Sequence, residues 1–194
     1  MKKTISAVVA AVVVIALVCG LFYYVTLRSK PSAEDNVELS KVQKLTTSNF
    51  EINYPATPRE VVKVFNKIMT CFYNEDCTEE ELEKLVEQAW ILFDPKLQEN
   101  NPLDVYLTTV KAEIAEYKER GRTISQSDVC ASNDVKYKTD GTDKLAYVDA
   151  SYFVKESKQY TNTYQMYVLR KDAEGRWRIL VFYQIKKEKA KDDE

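Results

Sequence analysis

The chain has 194 residues, with 28 lysines and arginines, 30 aspartates and glutamates, four glycines and no histidine. Without histidine it can form neither a Ser-His-Asp or Cys-His catalytic centre nor a His-ligated zinc site. The four glycines are too widely spaced for a phosphate-binding loop or a dinucleotide fingerprint, so composition excludes several enzyme classes and indicates no reaction.

Residues 1–30 are predicted to be a membrane anchor with basic flanks. The segment 5–25 reads ISAVVAAVVVIALVCGLFYYV, 21 residues without a charge. At about 1.5 Å per helical residue it spans the roughly 30 Å hydrocarbon core of a bilayer. Basic residues lie on both sides of it: Lys2, Lys3, Arg28 and Lys30. We therefore predict a single-pass transmembrane helix. A cleaved signal peptide is the main alternative, and a lipoprotein acylated at Cys19 is a weaker one.

The orientation of the anchor follows from its position at the start of the chain. The positive charges on its two sides are nearly balanced, so loop charge does not decide the orientation. A short basic start before an apolar run is typical of exported proteins, and long domains translocate largely regardless of charge. We expect a cell-membrane protein whose amino terminus lies inside and whose large C-terminal domain is extracytoplasmic.

The part of the chain after the anchor is acidic. Residues 31–194 contain 24 lysines and arginines against 30 aspartates and glutamates, a net charge of −6. Nucleic-acid binders usually have a basic face, and no aromatic-plus-arginine RNA motif is present. We therefore expect no nucleic-acid partner.

Two segments are predicted to lie outside the folded domain. Residues 31–57 begin PSAEDN and contain few large apolar side chains, which is typical of a solvated linker. A short amphipathic helix is the alternative there, and its apolar residues would be Val37, Leu39, Val42 and Leu45. Residues 188–194 are almost all charged and are predicted to be a solvated tail.

Three helices are predicted in the first half of the domain that spans residues 58–187. The first begins at Pro58 within the capping box TPRE, where proline occupies the first helical position. The second follows Thr78 in the capping box TEEE and ends before Pro95. The third follows Pro102 and ends before Gly121. All three carry an apolar stripe at helical spacing, which predicts that one side of each is buried.

The second half of the domain alternates with the period of β-strands. Four strands are predicted, over residues 124–138, 144–155, 160–170 and 177–185. The first is polar and irregular enough to contain a bulge. Short turns between the later strands require antiparallel pairing. On the last three strands alternation groups these residues on single faces: Ala146, Val148, Ala150, Tyr152 and Val154; Tyr164, Met166 and Val168; Trp177, Ile179, Val181, Tyr183 and Ile185. The fold class is α+β, three helices on one face of a four-stranded antiparallel sheet.

This order of elements resembles a known fold. Three helices, a meander and a last strand that contains Trp177 after a Glu-Gly turn resemble the cone-shaped, nuclear transport factor 2-like fold over residues 58–187. In that family a strongly curved sheet wraps around the helices and often leaves a pocket at the open end. The usual short strand between the second and third helices is not evident in residues 94–102.

A narrower resemblance concerns the first two helices. The stretch YPATPREVVKVFNKIMTCFYNED, followed by an acidic helix and LFDPKL, is similar to an uncharacterised family of membrane-anchored bacterial proteins with this domain. The resemblance implies a fold but no reaction.

Cys71 and Cys77 are a disulfide candidate. They flank FYNED between the first two helices, and a tight helix-turn-helix would bring their Cα atoms within bonding distance in an exported domain. The alternative is a pair of partly buried thiols. Cys130 would remain unpaired, and the pair lacks the further ligands of a metal site. The acidic run at residues 76–81 lacks the glycine and alternating oxygens of a calcium loop, so we predict neither a metal nor a cofactor.

The resemblance also raises the question of catalysis. Enzymes with this fold often pair an aspartate with a histidine or tyrosine inside the cone, but here histidine is missing. Asp149 has the parity of Tyr147 and Ser151, so alternation points its carboxylate away from the helices. A role as the partner of a lysine or arginine is therefore more consistent with its position than a role as a general base.

The thirteen tyrosines suggest two alternatives. Strand propensity and core packing explain most of them. The other interpretation is that Tyr152, Tyr164, Trp177 and Tyr183 line a pocket for an apolar or aromatic ligand, or form a surface for a partner. We predict a non-catalytic interaction module that binds a protein partner or itself at the cell envelope. The alternative is a domain that binds a small molecule, or retains weak lyase or isomerase chemistry, in the cone.

Overall fold

Residues 39–186, the part of the chain that the computed structural model describes, contain helices followed by an antiparallel sheet. The helices are α1 (Lys41–Thr46), α2 (Pro58–Asn74), α3 (Glu79–Ile91), α4 (Pro95–Asn100) and α5 (Leu103–Glu119). The strands are β1 (Arg122–Val129), β2 (Lys136–Asp140), β3 (Asp143–Glu156), β4 (Gln159–Lys171) and β5 (Trp177–Ile185). The α+β class is confirmed, with two more short helices and one more strand than the sequence predicted.

Two of the three long helices, α2 and α3, begin at the predicted capping boxes, and α5 begins after Pro102 without a side-chain cap. At the start of α2, the Thr57 hydroxyl accepts a hydrogen bond from the Glu60 amide (3.2 Å), and the Glu60 carboxylate accepts one from the Thr57 amide (3.1 Å). The same reciprocal pair joins Thr78 and Glu81 before α3. These bonds satisfy amide groups that a helix start otherwise leaves without partners. The predicted bounds of α2, α3 and α5 are therefore confirmed to within a few residues.

Residues 39–57 require a correction, because the sequence places them in a solvated linker. Val42, in α1, is 5 % exposed and Phe50 is 7 % exposed, so both belong to the core. The Tyr54 hydroxyl donates to the carbonyl oxygen of Trp177 (2.8 Å) and joins this segment to β5. Three well-spaced apolar side chains are enough to dock a stretch whose average composition is that of a linker.

The segment between α3 and α4 adds one bridge to the sheet. Phe93 pairs in parallel with Ile179 of β5. The Asp94 amide donates to the Ile179 carbonyl (2.9 Å), and the Ile179 amide donates to the Leu92 carbonyl (2.8 Å). The short strand that was not evident in residues 94–102 is thus reduced to a single bridge, immediately before the α4 helix that residues 95–100 form.

The predicted first strand is divided into two. β1 pairs with residues 150–156 of β3 and β2 with residues 143–147, so both lie on the same edge of one long strand. A 3₁₀ turn over Ser132–Asp134 separates them. β3, β4 and β5 then follow as antiparallel neighbours, as predicted.

The predicted single face of β5 is corrected by a β-bulge, whereas the direction of the β4 side chains follows from the pairing of β4 with β3. Val168 pairs with Val181, but the next residue, Leu169, pairs with Ile179, so β5 carries one extra residue there. An extra residue reverses the side-chain alternation beyond it. Trp177 and Ile179 are buried as expected, whereas Val181 and Tyr183 are 41 % and 48 % exposed.

The composition of both faces of the sheet therefore differs from the prediction. The inner face, which α2 and α5 cover, carries these residues: Ala146, Val148, Ala150, Tyr152, Tyr167, Leu169, Ile179 and Phe182. The predicted β3 face is confirmed, but on β4 the inward residues are Tyr167 and Leu169 instead of Met166 and Val168. Phe65 of α2 packs against Tyr167 and Phe182, with ring centroids 5.9 and 5.6 Å away.

None of the helices within residues 39–186 combines the length and the apolar character needed to cross a bilayer. The predicted anchor at 5–25 and the predicted tail at 188–194 lie outside the described residues.

Candidate functional site

A cavity of about 340 Å³ lies between α2, α5 and the inner face of the sheet. Aromatic residues are the largest group in its walls: Phe65, Tyr73, Tyr106, Tyr117, Tyr152 and Phe182. We call it the aromatic cavity. Its volume is near the lower end of the roughly 300–1,000 Å³ found for small-molecule pockets.

The rim of the aromatic cavity carries charged groups on α5 and β1. The Tyr73 hydroxyl donates to Oε2 of Glu113 (2.7 Å), and the Tyr73 ring stacks on Tyr117 with centroids 3.9 Å apart. Arg122 donates from Nε to Glu156 (2.8 Å), and its Nη1 lies 3.8 Å from Glu116. Burial, together with the nearby Glu113 charge, raises the pKa of Tyr73 far above its usual value. The Tyr73 hydroxyl therefore stays protonated and acts as a hydrogen-bond donor at neutral pH.

The inner wall of the cavity rests on a buried polar network. The Tyr152 hydroxyl lies 2.5 Å from both Oδ1 of Asn66 and the Tyr167 hydroxyl. Tyr167 donates in turn to Oε1 of Gln165 (2.8 Å). Burial raises the pKa values of Tyr152 and Tyr167, so both remain neutral. Because low polarity strengthens such bonds, the network holds the Tyr152 ring in place.

The four aromatic residues predicted to share a pocket are not brought together. Tyr152 lines the aromatic cavity, whereas Trp177 is 8 % exposed and packs on Tyr137, with centroids 5.7 Å apart. Tyr164 and Tyr183 lie on the opposite face of the sheet, because Tyr164 shares the parity of Ser151 and the bulge turns Tyr183 outward.

The cavity residues that the pocket prediction missed come from α5. Tyr106, Glu113 and Tyr117 are spaced by seven and four residues, which places them on one side of a helix. The sequence assigns the two tyrosines to a buried helix face. The carboxylate of Glu113, which lies between them on the helix, is the sequence feature that could have indicated that this face borders a cavity.

The predicted disulfide is not formed in the structure, where Cys71, Cys77 and Cys130 are free thiols. Cys71 is 2 % exposed within α2, and Cys77 lies in the half-buried loop after it. Burial first, and the nearby Glu75 charge second, raise the pKa of Cys71 to about 11. Such a thiol is a weak nucleophile at neutral pH, and its pairing with Cys77 remains a prediction.

The face of the sheet opposite the helices forms a second candidate site, which we call the outer face. Three cross-strand rows compose it: Tyr147, Val168 and Val181; Asp149, Met166 and Tyr183; Ser151, Tyr164 and Ile185. Seven of these nine side chains are apolar or aromatic. Cross-strand neighbours touch on a sheet face, so they make one continuous patch.

An acidic depression of about 540 Å³ borders the outer face. Asp128, Asp134 and Asp149 line it, together with Tyr164 and Ile185 of the outer face. Oδ1 of Asp149 is buried and has no hydrogen-bond partner among the described residues. The side chain is on the side away from the helices, as alternation predicts. Within residues 39–186, no group of three or more Cys, Asp or Glu side chains is arranged to hold a metal ion.

Within residues 39–186, the chain forms an α+β domain with an aromatic cavity on one side of its sheet and, on the other, an apolar face that none of the described helices covers. The chain belongs to the family described as Domain of unknown function (DUF6715), which matches residues 1–182. The match includes the apolar segment 5–25 and nearly all of the folded domain. No curated protein matches the chain.

Proposed function

We propose that this chain is a membrane-anchored, extracytoplasmic and non-catalytic interaction module that binds a protein partner through its outer face. The observation that carries the proposal is the continuous patch of apolar and aromatic side chains on a sheet face whose Val181 and Tyr183 are exposed. We further propose that the domain is nuclear transport factor 2-like, which the order of three long helices and then an antiparallel sheet supports.

The composition of the outer face supports protein recognition. Aromatic residues and methionine are enriched in the centres of protein interfaces, and exposed apolar patches with a polar border often mark such sites. The outer face has three tyrosines and Met166, and its border holds the acidic depression. Tyrosine is also among the residues that most often dominate binding energy. Tyr183, the most exposed of the three, is therefore the expected centre of the interface.

The acidic depression indicates the chemistry of the partner. Asp128 and Asp134 are exposed, and Oδ1 of Asp149 is buried without a hydrogen bond. A buried carboxylate oxygen without a donor costs free energy, which a lysine or arginine from a partner would relieve. We propose a protein partner that presents apolar side chains beside basic ones.

The membrane part of the proposal rests on the sequence. The uncharged segment 5–25 has the length of a transmembrane helix and basic residues on both sides. Protease digestion of intact cells tests the orientation, because an extracytoplasmic domain is cleaved without lysis. Protection of the domain until lysis would reverse the orientation, and release of the chain by alkaline carbonate would contradict the anchor.

A non-catalytic role is supported by the groups around the aromatic cavity. Glu113, the carboxylate nearest to Tyr73, is exposed, and burial keeps the hydroxyls of Tyr73 and Tyr106 protonated. General acid–base catalysis works best with groups whose pKa values lie near the working pH. The raised pKa values of these tyrosines do not meet that condition.

Site-specific photo-crosslinking in native membranes tests the outer face. A photoreactive phenylalanine analogue replaces Tyr183 in one full-length variant and the exposed Glu83 of α3 in a control. We expect a discrete crosslinked protein at position 183 that is absent at position 83, with mass spectrometry identifying basic residues near the attachment point. A product that contains two copies of this chain would instead identify self-association. Equal crosslinking at both positions, or none at 183, would contradict the proposal.

A second candidate function is small-molecule capture in the aromatic cavity. The observation that favours it is the about 340 Å³ of space between α2, α5 and the sheet, into which polar groups converge from both layers. This function is compatible with a protein partner, because the aromatic cavity and the outer face lie on opposite sides of the sheet.

A further inference from the structure

We propose that the aromatic cavity binds a small organic cation, an ammonium group attached to an apolar or aromatic body. The inference rests on the second candidate function, small-molecule capture, and assigns its ligand class. Three features of the cavity carry it: the balance of charge at the rim, the aromatic walls and the hydroxyl of Tyr106, which has no hydrogen-bond partner within residues 39–186.

The charges at the rim favour a cation. Glu113 and Glu116 both line the cavity, and the cationic residue in its lining is Arg122. The Arg122 guanidinium is already engaged, with Nε donating to Glu156 (2.8 Å) and Nη1 lying 3.8 Å from Glu116. Its charge is thus compensated by a carboxylate outside the cavity, and the negative charge of Glu113 is left facing the entrance.

The walls are suited to the same ligand class. Cations are attracted to the faces of aromatic rings within about 6 Å, and aromatic cages recognise quaternary ammonium groups in this way. Tyr73 and Tyr106 supply two such rings beside Glu113, and Tyr117 is stacked on Tyr73 at the rim. The guanidinium of Arg122 already lies 5.9 Å from the Tyr117 ring centroid, so a cation occupies this kind of position within the protein itself.

Tyr106 adds a polar contact inside the cavity. Its hydroxyl makes no hydrogen bond within residues 39–186, whereas those of Tyr73, Tyr152 and Tyr167 are all engaged. Burial, with a contribution from the Glu113 charge, raises the pKa of Tyr106, so the hydroxyl is neutral and its oxygen lone pairs can attract the positive charge of an ammonium group.

An anionic ligand is the main rival, because Arg122 and several hydroxyl donors line the same space. Binding an anion would require Arg122 to leave Glu156 or would place the anion beside Glu113 and Glu116. Like charges at such distances repel each other, so the cation is the better match.

Isothermal titration calorimetry with three related probes tests the ligand class. The full-length chain is reconstituted in nanodiscs of zwitterionic lipid and titrated with benzyltrimethylammonium, benzyl alcohol and benzoate, with protein-free nanodiscs as the blank. We expect benzyltrimethylammonium to bind at least about tenfold more tightly than benzyl alcohol, and benzoate to bind most weakly.

Two matched variants locate the binding. Glu113→Gln keeps an acceptor for the Tyr73 hydroxyl but removes the charge, and should weaken benzyltrimethylammonium binding about tenfold without affecting benzyl alcohol. Glu119→Gln removes an exposed charge near the end of the same helix and should change neither.

The possible failures are distinguishable. Equal effects of the two variants, or tighter binding of benzoate or benzyl alcohol than of the cation, would overturn the ligand class while leaving small-molecule capture intact. Absence of saturable binding by all three probes at millimolar concentration would overturn both.

Discussion

The inner and outer faces of the sheet carry similar residues that differ in solvent exposure. On the inner face, Tyr167, Leu169 and Ile179 are completely buried beneath the helices. On the outer face, Val181 and Tyr183 have the same chemical character but are 41 % and 48 % exposed. The helices within residues 39–186 pack on one face, so similar β-forming residues are buried in the core on that side and are partly exposed on the other.

The two faces also differ in the hydrogen bonding of their polar groups. Inside, the hydroxyls of Tyr152 and Tyr167 bond to Asn66, Gln165 and each other. Outside, Oδ1 of Asp149 has no partner in the described residues. The hydroxyls of Tyr152 and Tyr167 are therefore paired within the domain, whereas Nδ2 of Asn66 on the inside and Oδ1 of Asp149 on the outside have no hydrogen-bond partner among the described residues.

The largest difference between the two faces is expected when an apolar side chain is truncated and the loss in the free energy of unfolding is measured. Leu169→Ala deletes a fully buried side chain and should lower the free energy of unfolding by about 3 kcal/mol, whereas Val181→Ala should lower it by less than about 1 kcal/mol. Urea denaturation of the full-length chain in nanodiscs measures both, and tryptophan fluorescence reports on the domain because Trp90 and Trp177 are the two tryptophans of the chain. Equal losses would mean that the outer face is covered.

A smaller contrast is expected from removal of single hydroxyls. Tyr167→Phe takes away the donor to Gln165 and the neighbour of Tyr152, and should cost about 1–2 kcal/mol of stability. Tyr183→Phe, at an exposed position, should change stability by less than about 0.5 kcal/mol. The same denaturation assay applies, and a larger effect of Tyr183→Phe would contradict the division between the faces.

The pH dependence of stability tests an interaction that stabilises the fold without involving the outer face. Although burial raises the pKa of Asp172, hydrogen bonds from Arg178 (2.7 Å) and the Arg176 amide (2.7 Å) outweigh it and hold the pKa below its usual value. A carboxylate with a lowered pKa in the folded state stabilises above its unfolded pKa of about 3.9, and that stability is lost as pH falls through the folded pKa.

The matching variant is Asp172→Asn. It should cost about 1 kcal/mol at pH 7 and make stability fall less steeply below about pH 4, because the titrating group is gone. Crosslinking at position 183 should be unaffected at neutral pH. An unchanged acid transition in this variant would show that Asp172 does not contribute to acid unfolding.

The helices could be predicted from sequence because their starts are local. Capping boxes at Thr57 and Thr78 involve residues three apart, and both are formed as written in the sequence. The inward face of β3 is similarly local, since alternation along one strand specifies it. By contrast, the docking of Val42 and Phe50 depends on a core that forms elsewhere, so composition alone places them in a linker.

The two candidate sites depend on long-range geometry. Tyr183 faces outward because of the bulge between β4 and β5. The bulge is a shift in the pairing register of two strands, which alternation within one strand does not reveal. The aromatic cavity depends on the separation of α5 from the sheet. The partly buried ion pair between Asp94 and Arg170 (2.6 Å) joins residues 76 positions apart, and neither residue is unusual in its local sequence.

The most direct test of the outer face is the size of the complex that contains this chain in native membranes, measured by native electrophoresis after mild solubilisation. Val181→Glu places a charge at an exposed position of the outer face, and Val105→Glu makes the same change at an exposed position of α5. We predict that Val181→Glu releases the chain as a smaller species and that Val105→Glu leaves the complex intact. A complex that survives Val181→Glu, or that both variants dissociate equally, would contradict recognition through the outer face.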